Sequence, residues 1–439
     1  MKAKHNNHIF PIRMLISTIV MLTFVTLNFI TVSAQTTATS IGGNASTEKS
    51  KIAVISDLHL GADNRFDETQ KNKPALANLL KQIKNSNNVA ELVIAGDLMD
   101  QWLMPMDYVL PVSLSDYNDM IVKNNKEIID TINTIIKQGN TRVTYIPGNH
   151  DMLFNAAEAE RIFPGINQAR DAEGLGTYKP TPQIAIEHGH RYNIYCAPDP
   201  FSNLDLTGGK SILPSGYFYA RIGISSFLEG RQKASDTLLP LDTKGMDETQ
   251  LSYYNYYLFW KNTLTDFTLK ERFSDKIIKT GIDGYTQKFS INNLIPYIGT
   301  NGKFTVNLFN NSVENWAKRQ AINNVPVPVD TNAALNNGAL ASFTDDQAQN
   351  QYFKRDANMR VVIFGHTHVG KLVAEKNLNG QDVIYANSGS WIDYNGNIPT
   401  RTYITIVRDM DSSTITVNYK QFNIDGTNTV LDSDQISSK

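Results

Sequence analysis

Six of the eight histidines lie in short polar clusters beside Asp, Asn or Gly, and a further cluster, Gly96-Asp97, carries a carboxylate alone. Imidazole and carboxylate groups are common ligands of first-row divalent metals, and imidazole also transfers protons near neutral pH. The clusters therefore predict metal binding combined with acid–base chemistry. The histidine-containing clusters are Asp57-Leu58-His59, Gly148-Asn149-His150-Asp151, His188-Gly189-His190 and Gly365-His366-Thr367-His368.

Each cluster comes soon after a short, β-branched apolar run, which is the pattern of a buried strand. Helical spacing separates the first runs, notably over Pro74 to Lys84 and Asp116 to Gln138. Alternating strands and helices predict an α/β fold, in which ligands bind beyond the carboxyl ends of the strands. The runs are Lys51 to Ile55, Glu91 to Ala95, Arg142 to Ile146, Gln183 to Ile186, Arg360 to Phe364 and Asp382 to Tyr385.

One such cluster is weak evidence, but the ordered set resembles the calcineurin-like metallophosphoesterase family. The resemblance covers about residues 51 to 200 and 355 to 400, and it implies a four-layer α/β/β/α sandwich with a dinuclear metal site above two central sheets. The α/β rhythm is absent from 201–354, which we predict to be a largely helical insertion or cap. The core would then comprise 51–200 and 355–439.

The resemblance also implies a set of metal ligands, three on each of two divalent ions and one that bridges them. Those ligands are Asp57, His59 and His368 on one ion, Asn149, His188 and His366 on the other, and Asp97 as the bridge. The ligand types do not distinguish among Mn, Fe, Zn and Mg. The implied reaction is hydrolysis of a phosphate ester by in-line attack of a metal-bridging hydroxide.

His150 matches the family histidine that stabilises the transition state or protonates the leaving oxygen. Asp151 is expected either to orient the His150 imidazole or to cap the following helix. A ligand or substrate role for His190 stays open, because the family commonly uses only the first histidine of that cluster. Arg65 and Arg191 could pair with a substrate phosphate or remain solvated at the surface.

The substrate class is narrowed by one further resemblance. The run from Gly96 to Trp102 is similar to a segment of the UDP-2,3-diacylglucosamine pyrophosphohydrolases, although those carry Arg where this chain has His150. A phosphodiester or pyrophosphate, as a small molecule or a lipid, is therefore favoured. The alternatives are a phosphomonoesterase or 5'-nucleotidase, and a non-catalytic metal-binding protein on the same fold. Six aromatic residues between Leu251 and Trp260 either pack the insertion or line a substrate pocket.

The first 34 residues have the layout of a secretory signal, with Lys2, Lys4 and Arg13 before an apolar run and Val32-Ser33-Ala34 before Gln35. An uncleaved membrane anchor is the alternative, because the run approaches the length of a bilayer span. Residues 35–50 are expected to form a flexible leader. Both alternatives place the body of the protein outside the cytoplasm, secreted or periplasmic.

Charge and cysteine content set two further limits. Cleavage of the signal would remove three cationic residues and no anionic ones, which takes the formal net charge from −2 to −5. An acidic surface disfavours a nucleic-acid substrate. Cys196 is the single cysteine of the chain, so an intramolecular disulfide is impossible.

Overall fold

The computed structural model describes residues 50–438 apart from 111–112, 172–173, 210–211, 232–235, 237, 268, 281–286 and 410. The predicted signal segment and all but the last residue of the predicted leader lie outside the described residues. No helix within the described part is both long and apolar enough to cross a bilayer.

Sixteen strands form two large sheets and two small hairpins among the described residues. The strands are β1 (Lys51–Ile55), β2 (Val89–Ala95), β3 (Arg142–Ile146), β4 (Asn167–Gln168), β5 (Thr177–Thr181), β6 (Ile184–Glu187), β7 (Ile278–Lys279), β8 (Lys288–Phe289), β9 (Tyr297–Ile298), β10 (Phe304–Thr305), β11 (Val361–Phe364), β12 (Lys371–Lys376), β13 (Asp382–Asn387), β14 (Thr402–Asp409), β15 (Thr414–Phe422) and β16 (Asn428–Ser437).

Ten α-helices accompany them in the same residues, with 3₁₀ turns at His190–Tyr192 and Ile291–Asn293 and a π-helical turn at Gln349–Phe353. The helices are α1 (Lys73–Lys84), α2 (Leu114–Asn124), α3 (Lys126–Gln138), α4 (Ala156–Ile162), α5 (Leu204–Thr207), α6 (Ser215–Leu228), α7 (Glu248–Asp266), α8 (Trp316–Ile322), α9 (Thr331–Asn337) and α10 (Ala341–Asp345).

The two large sheets face each other across an aliphatic layer. One has the order β16-β15-β14-β1-β2-β3-β4 and the other β12-β13-β11-β6-β5. Val54 and Val93 of the first sheet pack with Ile186, Ile363 and Ile384 of the second. Strands β1, β2 and β3 run parallel in one sheet, and β6, β11 and β13 run parallel in the other.

Helical layers cover the outer faces of both sheets. Leu80 of α1 and Ile132 of α3 belong to the hydrophobic cluster on the outer face of the first sheet. Phe353 of the π-helical turn packs against Val362 and Phe364 on the outer face of the second. This architecture confirms the predicted α/β class and four-layer α/β/β/α sandwich.

The predicted helix over Asp116 to Gln138 is two helices, α2 and α3, that meet at Asn125. The side-chain amide of Asn125 donates to the backbone carbonyls of Gly61 and Ile121. The spacing of apolar residues continues through the break, so it predicts one helix. The break itself is stabilised by a bond from Asn125 to a loop 64 residues away. The final strand β16 is also absent from the prediction, because its polar sequence shows no buried run.

The region predicted to be an insertion contains α5 to α10 and the two small hairpins. Tyr217 of α6 and Trp260 of α7 belong to the same hydrophobic cluster as Leu80 and Ile132. Helix α7 contains the six aromatic residues between Leu251 and Trp260 and ends at Asp266. The boundaries at 201 and 354 stay a prediction.

Candidate metal centre and active site

The clusters predicted from the sequence meet at the carboxyl ends of the parallel strands. Asp57 and His59 follow β1, Asp97 follows β2 and Asn149 follows β3 in the first sheet. His188 follows β6, and His366 and His368 follow β11, in the second. Because the two sheets stack with these ends together, side chains more than 300 residues apart come into contact.

The first group of side chains consists of Asp57, His59, Asp97 and His368, whose ligand atoms all lie within 4.8 Å of one another. Nε2 of His368 lies 3.1 Å from Oδ1 of Asp57 and 3.0 Å from Nε2 of His59. Nε2 of His59 lies 3.6 Å from Oδ2 of Asp97. The carboxylates and ring nitrogens therefore converge as ligands do around a cation.

The second group is centred on His188. Its Nδ1 lies 2.8 Å from the carbonyl oxygen of Ala95, which places the imidazole proton on Nδ1. Its Nε2 lies 3.2 Å from Oδ2 of Asp97 and 3.1 Å from Oδ1 of Asn149. When the His188 ring is neutral with its proton on Nδ1, these three atoms are all acceptors, so that a cation could bind to all of them. Asp97 faces both groups, as a bridging ligand must.

His366 lies beside this second group rather than within it. Its ring centroid is 5.3 Å from that of His188, and its Nε2 lies 3.3 Å from Nδ2 of Asn193. Asn193 carried no signal in the sequence, because it lies outside the polar clusters. The backbone N–H of His366 points at the Asp57 carboxylate, with distances of 3.2 and 3.1 Å to its two oxygens.

Five of the seven predicted ligands have left-handed backbone conformations, with φ between 44° and 67°. Such values cost on the order of 1–3 kcal/mol for a residue other than glycine and cluster at functional sites. The turns direct each side chain back over the sheet edge. The five residues are Asp57, His59, Asp97, His366 and His368.

The close approach of the β3 loop to Asp97 requires a glycine at position 148. A Cβ atom at Gly148 would overlap the backbone nitrogen and the carboxylate of Asp97. The glycine of the Gly-Asn-His-Asp cluster therefore lets the β3 loop approach the bridging carboxylate.

The buried acids determine the protonation of the neighbouring imidazoles. Burial disfavours a charged imidazole, but the hydrogen bond to Asp100 and the charges of Asp97 and Asp100 outweigh it and raise the pKa of His59 to about 10. At His188, burial is likewise outweighed, chiefly by the charge of Asp97, so its pKa rises to about 9. The site is thus rich enough in negative charge to hold cations, and metal binding must displace protons.

Asp100 is a site residue for which the sequence predicted no role. Its Oδ2 lies 2.9 Å from Nδ1 of His59, and its Oδ1 lies 3.2 Å from Nδ1 of His150. Oδ1 also accepts the backbone N–H groups of Trp102 and Leu103. Burial raises the pKa of a carboxyl, yet the two histidines hold the pKa of Asp100 below its usual value. One carboxylate therefore orients a predicted ligand and the predicted catalytic histidine.

His150 lies at the edge of the metal-ligand groups and is partly exposed. Its ring stacks on Trp102 at 4.8 Å between centroids and meets the edge of His59 at 4.5 Å. Its backbone N–H donates to Oδ1 of Asp97 over 2.8 Å. The two ring contacts and the contact of Nδ1 with Asp100 fix the imidazole, and Nε2 lies on the far side of the ring from Asp100.

Both roles expected of Asp151 are wrong. Its Oδ1 accepts the backbone N–H of Gly148 at 2.6 Å, and its Oδ2 accepts that of Leu98 at 2.8 Å. Asp100 takes the orienting position beside His150, and Asn155 caps helix α4. Asp151 instead ties the β2 and β3 loops together. Sequence adjacency to His150 was misleading because successive side chains of a tight turn point in different directions.

The three remaining candidates lie away from the converging atoms. Nε2 of His190 lies 2.8 Å from the carbonyl oxygen of Gly174, and its ring is 5.2 Å from that of His188. Arg65 is exposed and pairs with Asp63. Arg191 is buried in ion pairs with Glu187 and Asp171, so the surface alternative is wrong for it.

A family model described as calcineurin-like phosphoesterase matches residues 50–277. The chain belongs to this family. The match includes Asp57, His59, Asp97, Asn149 and His188, whereas the cluster at His366 and His368 lies beyond it. No curated protein matches the sequence.

Two solved structures are similar to this metallophosphoesterase at low scores. A single-mutant form of Vps29 from Entamoeba histolytica shares 10% identity with a TM-score of 0.27, covering 88% of this chain and 98% of that one. A putative 5'-nucleotidase from Staphylococcus aureus, in complex with alpha-ketoglutarate, shares 10% identity with a TM-score of 0.26, covering 88% and 54%. At these scores neither likeness bears on function.

The shared carboxylate gives a direct prediction. In Asp100→Asn, the amide nitrogen can occupy the Oδ2 position and face Nδ1 of His59, which would move the His59 proton to Nε2 and block that ligand atom. We expect metal affinity to fall about 10- to 100-fold, as for other residues that orient metal-binding histidines. Calorimetric titration of the metal-free variant with Mn²⁺ would measure the loss.

Asp382→Asn is the matched control, because Asp382 is exposed, pairs with Lys376 and begins β13, at the end of the strand opposite the site. It should bind Mn²⁺ like the unchanged protein. Unchanged affinity in a folded Asp100→Asn protein would contradict the orienting role.

Proposed function

We propose that this metallophosphoesterase is an exported, dinuclear-metal-dependent hydrolase of phosphodiesters. The observation that carries the proposal is the convergence of the Asp57 and His188 groups on the shared carboxylate of Asp97. The N-terminal pattern of charged, apolar and small residues supports export. The two ions could be Mn, Fe, Zn or Mg, because the ligand types suit all four metals.

The residues have distinct roles in the proposed reaction. Asp57, His59 and His368 would hold one ion, Asn149, His188 and His366 the other, and Asp97 both. When bound, the two ions would neutralise charge on the phosphoryl oxygens and lower the pKa of a water molecule.

His150 would act on the leaving oxygen. Asp100 accepts from Nδ1 and stabilises the imidazolium, so Nε2 can deliver a proton as the ester bond breaks. Trp102 holds the ring plane by stacking. The carboxylate of Asp97 also accepts the backbone N–H of His150. The position of His150, the proposed general acid, is therefore coupled to that of the bridging ligand Asp97.

The predicted ligands open into a pocket, and the charge of its lining favours a diester over a pyrophosphate. No lysine or arginine is among the described residues that line it. A second phosphate group would therefore lack a cationic side chain to pair with.

The test is hydrolysis of bis-p-nitrophenyl phosphate and p-nitrophenyl phosphate by the purified chain beginning at Gln35. With Mn²⁺, we expect diester cleavage that a chelator reduces by at least about 100-fold and that added metal restores. Cleavage of the monoester alone would replace this proposal by a phosphomonoesterase or nucleotidase. No cleavage of either ester, with two metal ions bound, would indicate a binding protein.

A further inference from the structure

The metal-ligand groups open into a pocket with two unlike walls. One wall carries the polar residues of the site, including Glu68, whose pKa burial raises to about 7. The other wall, which begins where Trp102 stacks on His150, consists mostly of apolar side chains. Its principal side chains are Trp102, Leu103, Tyr195, Tyr219, Ala220 and Phe259.

Helices α6 and α7 supply Tyr219, Ala220 and Phe259 of the apolar wall. Phe259 of α7 stacks on Tyr195 with 4.0 Å between ring centroids and 13° between planes, and Tyr219 of α6 lies 5.5 Å from Phe259. The hydroxyl of Tyr195 donates to the carbonyl of Leu335 at 2.7 Å. That hydroxyl is thus bonded away from the pocket, and Tyr195 lines the pocket with its aromatic ring.

The aromatic run of α7 divides between packing and this wall. Tyr256 and Trp260 are buried within the hydrophobic cluster, whereas Phe259 is only partly buried and lines the pocket. Packing and pocket lining, the two alternatives for this run, therefore both occur on one helix.

We propose that the wall binds an apolar organic group, alkyl or aromatic, carried by the phosphate ester that the metal site recognises. This inference rests on the proposed function. An apolar wall contiguous with the ligand groups would stabilise such a group by removing it from water. A sugar or a second phosphate would lose its hydrogen bonds to water there without gaining partners.

The test measures binding rather than turnover, using phosphonates that keep the anionic head and cannot be cleaved as esters. Methyl-, 2,3-dihydroxypropyl-, hexyl- and benzylphosphonate would be titrated calorimetrically into the Mn²⁺-loaded protein. We expect hexyl- or benzylphosphonate to bind at least about tenfold more tightly than methylphosphonate, since each buried methylene contributes favourably. The dihydroxypropyl compound should gain no such advantage.

Two variants assign the preference to this wall. Ala220→Leu would fill the pocket and Phe259→Ala would remove a ring, and each should lower the ratio of hexyl or benzyl to methyl affinity at least about threefold. Leu258→Ala is the matched control, because Leu258 is a partly buried neighbour on α7 that does not line the pocket. It should keep the ratio.

The outcomes separate this inference from the proposed function. Equal affinities for all four phosphonates would overturn the inference even if the diester is hydrolysed. Tighter binding of hexyl- or benzylphosphonate by a protein that cleaves neither test ester would instead count against the proposed reaction. Tighter binding of hexyl- than benzylphosphonate would indicate a lipid-like chain, and the reverse would indicate an aromatic ester.

Discussion

Asp97→Asn should reduce diester hydrolysis about 1000-fold or more, equivalent to roughly 4 kcal/mol of transition-state stabilisation. The Asp97 carboxylate faces both groups of predicted ligands, 3.6 Å from Nε2 of His59 and 3.2 Å from Nε2 of His188. An amide keeps the shape but removes the negative charge that a bridging ligand supplies to two cations. The assay is the rate of bis-p-nitrophenyl phosphate cleavage at saturating Mn²⁺.

Two measurements accompany this variant. Metal analysis should give fewer than two ions per chain, and circular dichroism should show a retained fold. The exposed control Asp382→Asn should keep both the rate and the metal content. A folded Asp97→Asn enzyme with two ions and a rate near that of the unchanged protein would disprove the bridging assignment.

The second large effect is expected at His150, and it should depend on the leaving group. General acid catalysis contributes about 10²- to 10⁴-fold, and most where the leaving oxygen is strongly basic. We therefore expect His150→Ala to lose about 10²-fold or more on an alkyl diester. On bis-p-nitrophenyl phosphate the loss should be much smaller, because p-nitrophenolate departs with little need of a proton.

Steady-state rates on both diesters, with metal content verified, would measure this contrast. Equal losses on the two would favour transition-state stabilisation over proton donation. Rates near those of the unchanged protein on both would rule out a catalytic role for His150. The variant should retain its metal ions, since His150 is not among the predicted ligands.

The residue types and their order along the chain indicated the strands, the α/β class and the set of residues that meet at the sheet edge. That inference succeeded because it uses local information. A buried strand requires an apolar run, and a ligand must follow it directly if it is to reach the carboxyl edge. The strand Lys51–Ile55 was predicted with its observed bounds for this reason.

Contacts between different loops were decided only by the tertiary structure. Asp100 serves His59 and His150 across 41 and 50 residues of sequence. No periodic pattern in the sequence indicates contacts across such separations. The sequence therefore favoured Asp151, which is adjacent to His150. The backbone of a tight turn sends Asp151 to the N–H groups of Gly148 and Leu98 instead.

The aromatic run of α7 shows the same limit. The sequence by itself determined that its six aromatic residues could not all share one face of a helix. Which of them line a pocket depends on where α6 and the segment at Tyr195 pack. The sequence thus determined which chemical groups this protein brings to its sheet edge, because strand-end positions are local. The hydrogen-bond partners and the apolar wall depend on long-range packing, which only the folded chain defines.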